Sequence, residues 1–233
     1  MMPRLLVFLI AFLFLLSCAS TTKKDTEQVQ ATDCPAFVNV GKVKICLPEI
    51  DSMVESYNDS IVKVWADRHE FQGNTVLSFY LRNPTRFAAA ETGEKIYDDF
   101  FKIFQVNSLR DVDVDTKYLD EVAYSITNGR EMGNWGEVLK KLEKDYKFIP
   151  VDKPYFIDQY SPHPDVRSFV VLYRFSAGNS DIVLIGVMNS MLIKKRLVGL
   201  TYYKAFFGPE TLARARTKND AIVAKVMAVN ESE

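Results

Sequence analysis

The feature that most constrains the fold is a long β-rich stretch near the C-terminus, "SFVVLYRFSAGNSDIVLIGVMNSMLIKKRLVGLTYYKAFF". Three runs of β-branched and aromatic residues are separated by the short segments "AGNS" and "KKR". Each run is apolar at consecutive positions, so both faces of each strand are expected to be buried. The stretch predicts a three-stranded meander at the centre of a sheet that helices cover.

Helices are predicted on either side of this meander. In "NWGEVLKKLEKDY", Asn134 is a candidate N-cap, and Glu137 three residues later resembles a capping box. After the meander, Gly208 and Pro209 precede a C-terminal helix, with proline at its first position. A second start at Asn219 or Asp220 is expected to break this helix in two.

Upstream, "SIVKVWADRHEF" and "NTVLSFYL" are predicted to be strands that the turn "QGN" separates. The aromatic residues of "ETGEKIYDDFFKIFQVN" recur at helical spacing and predict a helix. The expected fold is α+β, a mostly antiparallel β-sheet with a C-terminal strand meander, covered by helices in an α/β/α sandwich-like arrangement. Since 48% of the residues are hydrophobic, residues 34–233 can form a single globular domain.

The N-terminal segment has the layout of a signal peptide. All twelve residues from Leu5 to Leu16 are apolar, and Arg4 precedes them. Twelve helical residues span roughly 18 Å, which is too short for a bilayer core of roughly 30 Å. The residues Leu15-Leu16-Ser17 before Cys18 resemble the lipobox of bacterial lipoproteins. This resemblance implies that residues 1–17 are removed and that Cys18 is lipidated; an ordinary secretory signal with an incidental Cys18 is the alternative.

The lipoprotein resemblance implies a bacterial cell-envelope location with a lipid anchor in the membrane. Residues 18–33 are then the lipidated N-terminus and a flexible tether, since the segment is polar and lacks aromatic residues. Ala19 stands where many lipoproteins retained at the inner membrane have Asp, so the outer membrane is the expected destination.

Two cysteines remain, Cys34 and Cys46, and an even pair in an oxidising compartment predicts a disulfide. The segment "CPAFVNVGKVKIC" predicts a β-hairpin with the three-residue loop 39–41, in which Gly41 is left-handed and Cys34 lies opposite Cys46. The alternation assigns Phe37, Val43, Ile45 and Leu47 to the inner face and Cys34, Cys46, Lys42 and Lys44 to the outer face.

The order hairpin, strands, helix, meander and last helix resembles the PsbP-like α/β/α sandwich, a fold of extrinsic photosystem subunits and of bacterial envelope lipoproteins. The resemblance is one of element order without a shared motif. It implies a fold and assigns no functional residue.

Metal and cofactor motifs are weak. In "DVDVDTKYLDE", Asp111, Asp113 and Asp115 have the first spacings of an EF-hand loop, but Thr116 replaces the glycine and Val122 the final glutamate. An edge strand whose charges prevent edge pairing is the expectation there. His69 and His163 are isolated, and His69 is expected at a polar strand position or paired with Asp67 or Glu70. We expect neither a metal nor a cofactor.

Three residues in "YSPHPDVR", Ser161, His163 and Asp165, raise the alternative of a hydrolase. Catalytic triads are usually assembled from distant parts of a fold, and a loop with two prolines is first a rigid turn. The chain has no Gly-rich phosphate loop, no G-x-S-x-G and no H-E-x-x-H. We therefore expect no catalytic residue here.

Lys194, Lys195 and Arg196 lie at the predicted turn between two meander strands. They are a candidate contact tip for anionic headgroups or a protein partner, with a solvated hairpin tip as the alternative. The net charge of −1 gives no bulk attraction to nucleic acid.

The sequence therefore favours a lipid-anchored cell-envelope protein with a non-catalytic binding domain and a protein partner. The alternatives are an immunity or inhibitor lipoprotein directed against an envelope toxin, and a hydrolase that uses Ser161, His163 and Asp165.

Overall fold

The computed structural model describes residues 34–82, 87–89, 95–128, 134–151, 153–177 and 180–231. The predicted signal peptide, Cys18 and the tether lie outside these ranges. Within the described residues, no helix combines the length and the apolar character that a membrane crossing requires.

The described elements comprise eleven strands and four α-helices. The strands are β1 (Ala36–Val40), β2 (Val43–Leu47), β3 (Met53–Glu55), β4 (Asn74–Arg82), β5 (Phe87–Ala89), β6 (Lys95–Tyr97), β7 (Asp99–Val106), β8 (Tyr155–Tyr160), β9 (Val166–Ala177), β10 (Ser180–Ile193) and β11 (Arg196–Ala205). The helices are α1 (Ser60–Arg68), α2 (Thr116–Thr127), α3 (Trp135–Leu142) and α4 (Glu210–Glu231), and 3₁₀ turns cover Asn107–Leu109 and Tyr146–Phe148.

Seven strands form one sheet in the order β3-β4-β7-β11-β10-β9-β8, and every neighbouring pair is antiparallel. Strand β10 pairs with both β9 and β11, so that Met188 lies between Phe169 and Thr201. This confirms the α+β class, the antiparallel sheet and the central meander.

Helices cover both faces of the sheet. On one face, α4, α3 and the β1-β2 hairpin pack over residues that include Ile185 and Leu200. On the other face, α1 and α2 pack over residues that include Phe79 and Phe169. The layered arrangement follows from strands that are apolar on both sides.

Helix α4 is one continuous helix through Asn219, so the predicted break there is wrong. Asn219 is fully buried, and its side chain exchanges hydrogen bonds with the amide of Asn189 on β10, at 2.7 and 3.2 Å. Each asparagine therefore satisfies the other across the helix-sheet interface. The predicted C-terminal helix is confirmed, but it begins at Glu210, so Pro209 directly precedes the helix and is not its first residue.

The helix over 135–142 is also confirmed. Asn134 is its N-cap and accepts a hydrogen bond from the backbone N–H of Gly136 at 2.9 Å. Val138 is buried against the sheet. A side-chain cap followed by an apolar stripe was sufficient to predict this element.

The segment "SIVKVWADRHEF" forms helix α1, so the predicted strand is wrong. Asp59 caps the helix by accepting hydrogen bonds from the backbone N–H groups of Ile61 and Val62, at 2.9 and 3.0 Å. The buried residues Val62 and Ala66 are four apart and form its inner face. The cap and this spacing outweigh the β-branched residues of the segment.

The part of "ETGEKIYDDFFKIFQVN" that the structure describes is strand rather than helix. Residues 91–94 lie outside the described ranges, and the remainder forms β6 and β7. Both faces of β7 are covered, so consecutive aromatic residues are buried on alternate sides of the sheet. When both faces of a strand are buried, its apolar residues are consecutive, and a consecutive apolar run also contains the i, i+3 and i+4 spacing of a helix.

The edge strand predicted over residues 111–115 is absent from the described structure of that segment. The chain there is irregular, and Asp115 is the N-cap of α2, accepting a hydrogen bond from Tyr118 N at 2.9 Å. Of the three alternating aspartates, Asp115 caps a helix, and Asp111 and Asp113 lie in the preceding loop rather than in a strand.

The Cys34–Cys46 disulfide is confirmed, with Cα atoms 5.6 Å apart. The predicted register is wrong: Val40 lies opposite Val43 across a two-residue turn, Gly41-Lys42, and Phe37 lies opposite Cys46. Gly41 is left-handed as predicted, with φ +58°. This register places Val40, which is fully buried, in a strand rather than in the loop.

The register also changes the two faces of the hairpin. Phe37 shares the face of Cys46 and is 52% exposed, whereas the sequence assigned it to the core. Cys46 is buried because the end of α4 covers it. There the Asn230 amide accepts from Cys46 N at 2.8 Å and donates to Cys46 O at 3.0 Å. The bridge closes a short loop and stabilises the domain by about 3 kcal/mol in the chain-entropy model.

Candidate functional site

A groove of about 740 Å³ lies between the hairpin and the β3 edge of the large sheet. One wall is formed by residues 35–38 and Leu47 of the hairpin, and the other by residues of the segment 48–58, which includes β3. Leu77 and Tyr80 of β4 contribute to the floor. We refer to this cavity as the hairpin groove.

Most of the residues that line the hairpin groove are apolar. Ile50 and Met53 are buried, while Phe37 and Val54 are each 52% exposed. Val54 lies opposite Leu81, on the other face of β3 from Met53, so it borders the groove at the strand edge. Exposed apolar side chains beside a concave surface indicate a contact site for another molecule.

Two strand edges border the hairpin groove. Among the described strands, β1 pairs only with β2, and β3 pairs only with β4. The second edge of each strand is therefore not covered by another described strand, although the Met53 N–H of β3 already donates to the Ile50 carbonyl at 3.0 Å. The remaining edge groups are ones that an extended polypeptide can use.

The charged residues that line the hairpin groove are acidic. Glu49, Asp51 and Glu55 are present, and none of the lining residues that the structure describes is basic. Asp51 is paired with Lys225 at 3.2 Å, and the Glu55 carboxylate accepts from Tyr57 N at 3.0 Å. Lys225 and Lys218 also donate to the carbonyls of Glu49 and Asp51. The two carboxylates without a described cation, Glu49 and Glu55, are therefore the ones that attract a cationic ligand.

Tyr80 supplies a neutral hydroxyl at the floor. Burial raises the pKa of Tyr80 well above its usual value, so the phenol stays protonated at physiological pH. The hydroxyl donates to the carbonyl of Pro48 at 3.3 Å and links the floor to the wall.

The residues Ser161, His163 and Asp165 lie in the loop between β8 and β9. His163 Nδ1 accepts from Asp165 N at 3.2 Å, and Nε2 lies 3.1 Å from Oε1 of Glu231 on α4. Both ring nitrogens are therefore engaged with groups other than the Ser161 hydroxyl. None of the three predicted residues lines the hairpin groove.

The predicted contact tip is only partly at the surface. Lys194 and Lys195 form the two-residue turn between β10 and β11, with φ of +48° and +63°, as a tight hairpin turn requires. Lys195 is exposed, but Arg196 is 8% exposed and forms an ion pair with Asp113. The Arg196 side chain therefore stabilises the fold and does not extend from the turn.

The acidic segment and the histidines do not come together as a metal site. Asp111 pairs with Arg110, and His69 stacks on Trp65 with its Nδ1 2.8 Å from the Trp65 carbonyl. No group of three or more His, Cys, Asp or Glu residues suited to a metal is found among the residues that the structure describes.

The sequence did not reveal a buried ion pair beneath α1. Lys102, in the middle of β7, lies 2.8 Å from Oε2 of Glu70, and both side chains are at most 5% exposed. The other carboxylate oxygen accepts from Phe71 N and from Asn74 Nδ2. This pair joins the end of α1 to the sheet, so its first role is structural.

Comparison with known proteins gives no match: no family model, no curated protein and no solved structure matches this chain.

Proposed function

We propose that this protein is a lipid-anchored component of the bacterial cell envelope whose folded domain binds an extended, basic and partly apolar segment of another protein, without catalysis. The observation that carries the proposal is the hairpin groove, which combines an apolar floor, two available strand edges and an acidic rim. Alternate side chains of an extended segment would contact the floor, and the intervening basic side chains would lie near the carboxylates.

The proposed anchor is consistent with the position of the groove in the chain. Cys18, after Leu15-Leu16-Ser17, is the proposed lipidation site, and the groove wall begins at Pro35. Fully extended, the fifteen residues between Cys18 and Cys34 reach about 50 Å. A tether of that length lets the groove meet partners beyond the lipid headgroups.

The binding proposal is tested with a labelled octapeptide of alternating leucine and lysine. We expect the full chain, purified in detergent, to bind this peptide in the micromolar range, and binding to weaken as salt screens the carboxylates. In Val54→Lys, a cation replaces an apolar contact, and the affinity is expected to fall at least about tenfold by fluorescence anisotropy.

The matched control is Val64→Lys, because Val64 is similarly exposed, at 58%, but lies on α1 away from the groove. It should bind the peptide like the parent. A leucine-glutamate octapeptide and a serine-lysine octapeptide should bind at least about tenfold more weakly, since each lacks one of the two required features. Equal affinity for the acidic peptide, or an unchanged affinity in Val54→Lys, would refute the proposal.

The anchor is tested separately by Cys18→Ser. Without the thiol, lipidation cannot occur, and the unprocessed precursor that retains residues 1–17 is expected to accumulate. Mass spectrometry of the membrane fraction distinguishes this from normal maturation, which would contradict the lipoprotein assignment.

A further inference from the structure

A second cavity lies at the turn of the hairpin, at the other end from the hairpin groove. It has a volume of about 610 Å³ and is lined by Asn39, Gly41, Lys42, Gln105, Arg110, Asp111 and Arg196. We refer to it as the turn cleft. Apart from Gly41, the residues that line it are polar or charged, in contrast to those of the groove, so the two cavities suit different ligands.

Two buried side chains of the turn cleft have an atom without a hydrogen-bond partner. Oε1 of Gln105 and Nε of Arg196 are both inaccessible to solvent, and neither is satisfied by another described residue. Gln105 and Arg196 are 9% and 8% exposed. Buried polar atoms are normally paired, so an unpaired acceptor and an unpaired donor in one cleft indicate a site for a polar ligand.

The charges of the turn cleft favour an anion. Lys42, Arg110 and Arg196 contribute three positive charges, and Asp111 contributes one negative charge. Asp113 also faces Arg196 in an ion pair, and Asp111 pairs with Arg110 at 2.9 Å. Lys42 is exposed, and no ion pair joins it to a described residue, so its charge is available to a ligand.

We propose that the turn cleft binds a small hydroxylated anion, a sugar that carries a phosphate or a carboxylate. Lys42 attracts the anionic group, since Arg110 and Arg196 already pair with Asp111 and Asp113. Gln105 Oε1, which is buried without a partner, accepts a hydrogen bond from a sugar hydroxyl when the Gln105 amide turns toward the cleft. The volume is within the range of small-molecule sites and exceeds what a bare phosphate would fill.

The test uses isothermal titration calorimetry on the full chain in detergent, with glucose 6-phosphate and glucuronate as probes and glucose and inorganic phosphate as comparisons. Both anionic sugars are expected to bind with dissociation constants of about 1 mM or tighter. Each comparison compound has only one of the two recognised features and is expected to bind at least about tenfold more weakly.

Two variants connect the binding to the turn cleft. Lys42→Ala and Gln105→Leu are each expected to weaken binding of glucose 6-phosphate at least about fivefold, since each removes one charged or hydrogen-bonding contact. Lys117→Ala and Gln159→Leu, which change exposed residues that do not line the turn cleft, should bind like the parent. Lys42 is exposed, so its variant tests the proposal even if Gln105→Leu fails to fold.

The proposal is overturned if neither anionic sugar binds at concentrations up to about 10 mM. It is also overturned if inorganic phosphate binds as tightly as glucose 6-phosphate, or if Lys42→Ala leaves the affinity unchanged. These outcomes are independent of the peptide experiment, because they concern the other end of the hairpin.

Discussion

Replacement of Lys102 by methionine is expected to lower the free energy of unfolding by about 3–5 kcal/mol. The substitution leaves the Glu70 carboxylate buried at the end of α1 without its cation, which lies 2.8 Å away in the parent. Burial raises the pKa of the neighbouring Tyr173 and Tyr203, so both hydroxyls stay neutral and contribute no compensating charge. Chemical denaturation at neutral pH measures the loss.

The double variant Lys102→Met with Glu70→Gln should recover most of this stability, because the uncompensated charge is then removed while the amide oxygen can still accept from Phe71 N. The matched control is Lys63→Met, which breaks the exposed Lys63–Asp67 pair on α1 and is expected to cost no more than about 1 kcal/mol. If Lys102→Met were as mild as Lys63→Met, the buried pair would not stabilise the contact of α1 with the sheet.

Gly41→Ala is expected to lower the free energy of unfolding by about 2–4 kcal/mol, for two separate reasons. The residue is left-handed, with φ +58°, a conformation that alanine disfavours. A Cβ atom at Gly41 would also lie 2.5 Å from the carbonyl oxygen of Arg110, which is backbone and cannot rotate away. Thermal or chemical denaturation measures the change.

Gly73→Ala separates the effect of the left-handed backbone from the effect of the steric contact. Gly73 is also left-handed, with φ +93°, but a Cβ there would meet no atom within 4 Å. Its loss of stability should be about 1 kcal/mol, the conformational part alone. Equal losses in the two variants would show that the hairpin turn does not pack against the loop at Arg110.

The parts of the fold that were predictable from sequence are those governed by local signals. The meander has continuous apolar runs between polar turns, and the α3 helix has the Asn134 cap. The disulfide followed from cysteine number and spacing. In each case, short-range sequence and tertiary packing favour the same conformation.

Two of the errors arose where a tertiary contact decides the conformation, whereas α1 and residues 111–115 were mispredicted because the local caps at Asp59 and Asp115 were not recognised. Strand β7 has the buried Lys102 in its centre, and nothing near it in the sequence indicates that Glu70 compensates its charge. Asn219 suggested a helix break because nothing near it in the sequence indicates that Asn189, on a distant strand, is its hydrogen-bond partner. Both polar residues are buried only because the topology provides a partner.

The candidate site was not predictable for a related reason. Phe37 fits the inner face of a hairpin with a three-residue loop, and only the observed two-residue turn places it at the surface beside the groove. A change of register moves side chains between faces. The acidic residues of the rim, Glu49, Asp51 and Glu55, are close in the sequence, but only the fold places them beside the hairpin.

The central claim, that the hairpin groove binds a basic and partly apolar polypeptide, is tested most directly by methyl NMR during titration with the leucine-lysine octapeptide. Binding in the groove is expected to shift the methyl signals of Ile50, Met53, Val54 and Leu77, all of which line it, and to leave the exposed α1 residues Ile61 and Val64 unchanged. Saturable binding that shifts Ile61 and Val64 but none of the four groove residues would contradict the claim.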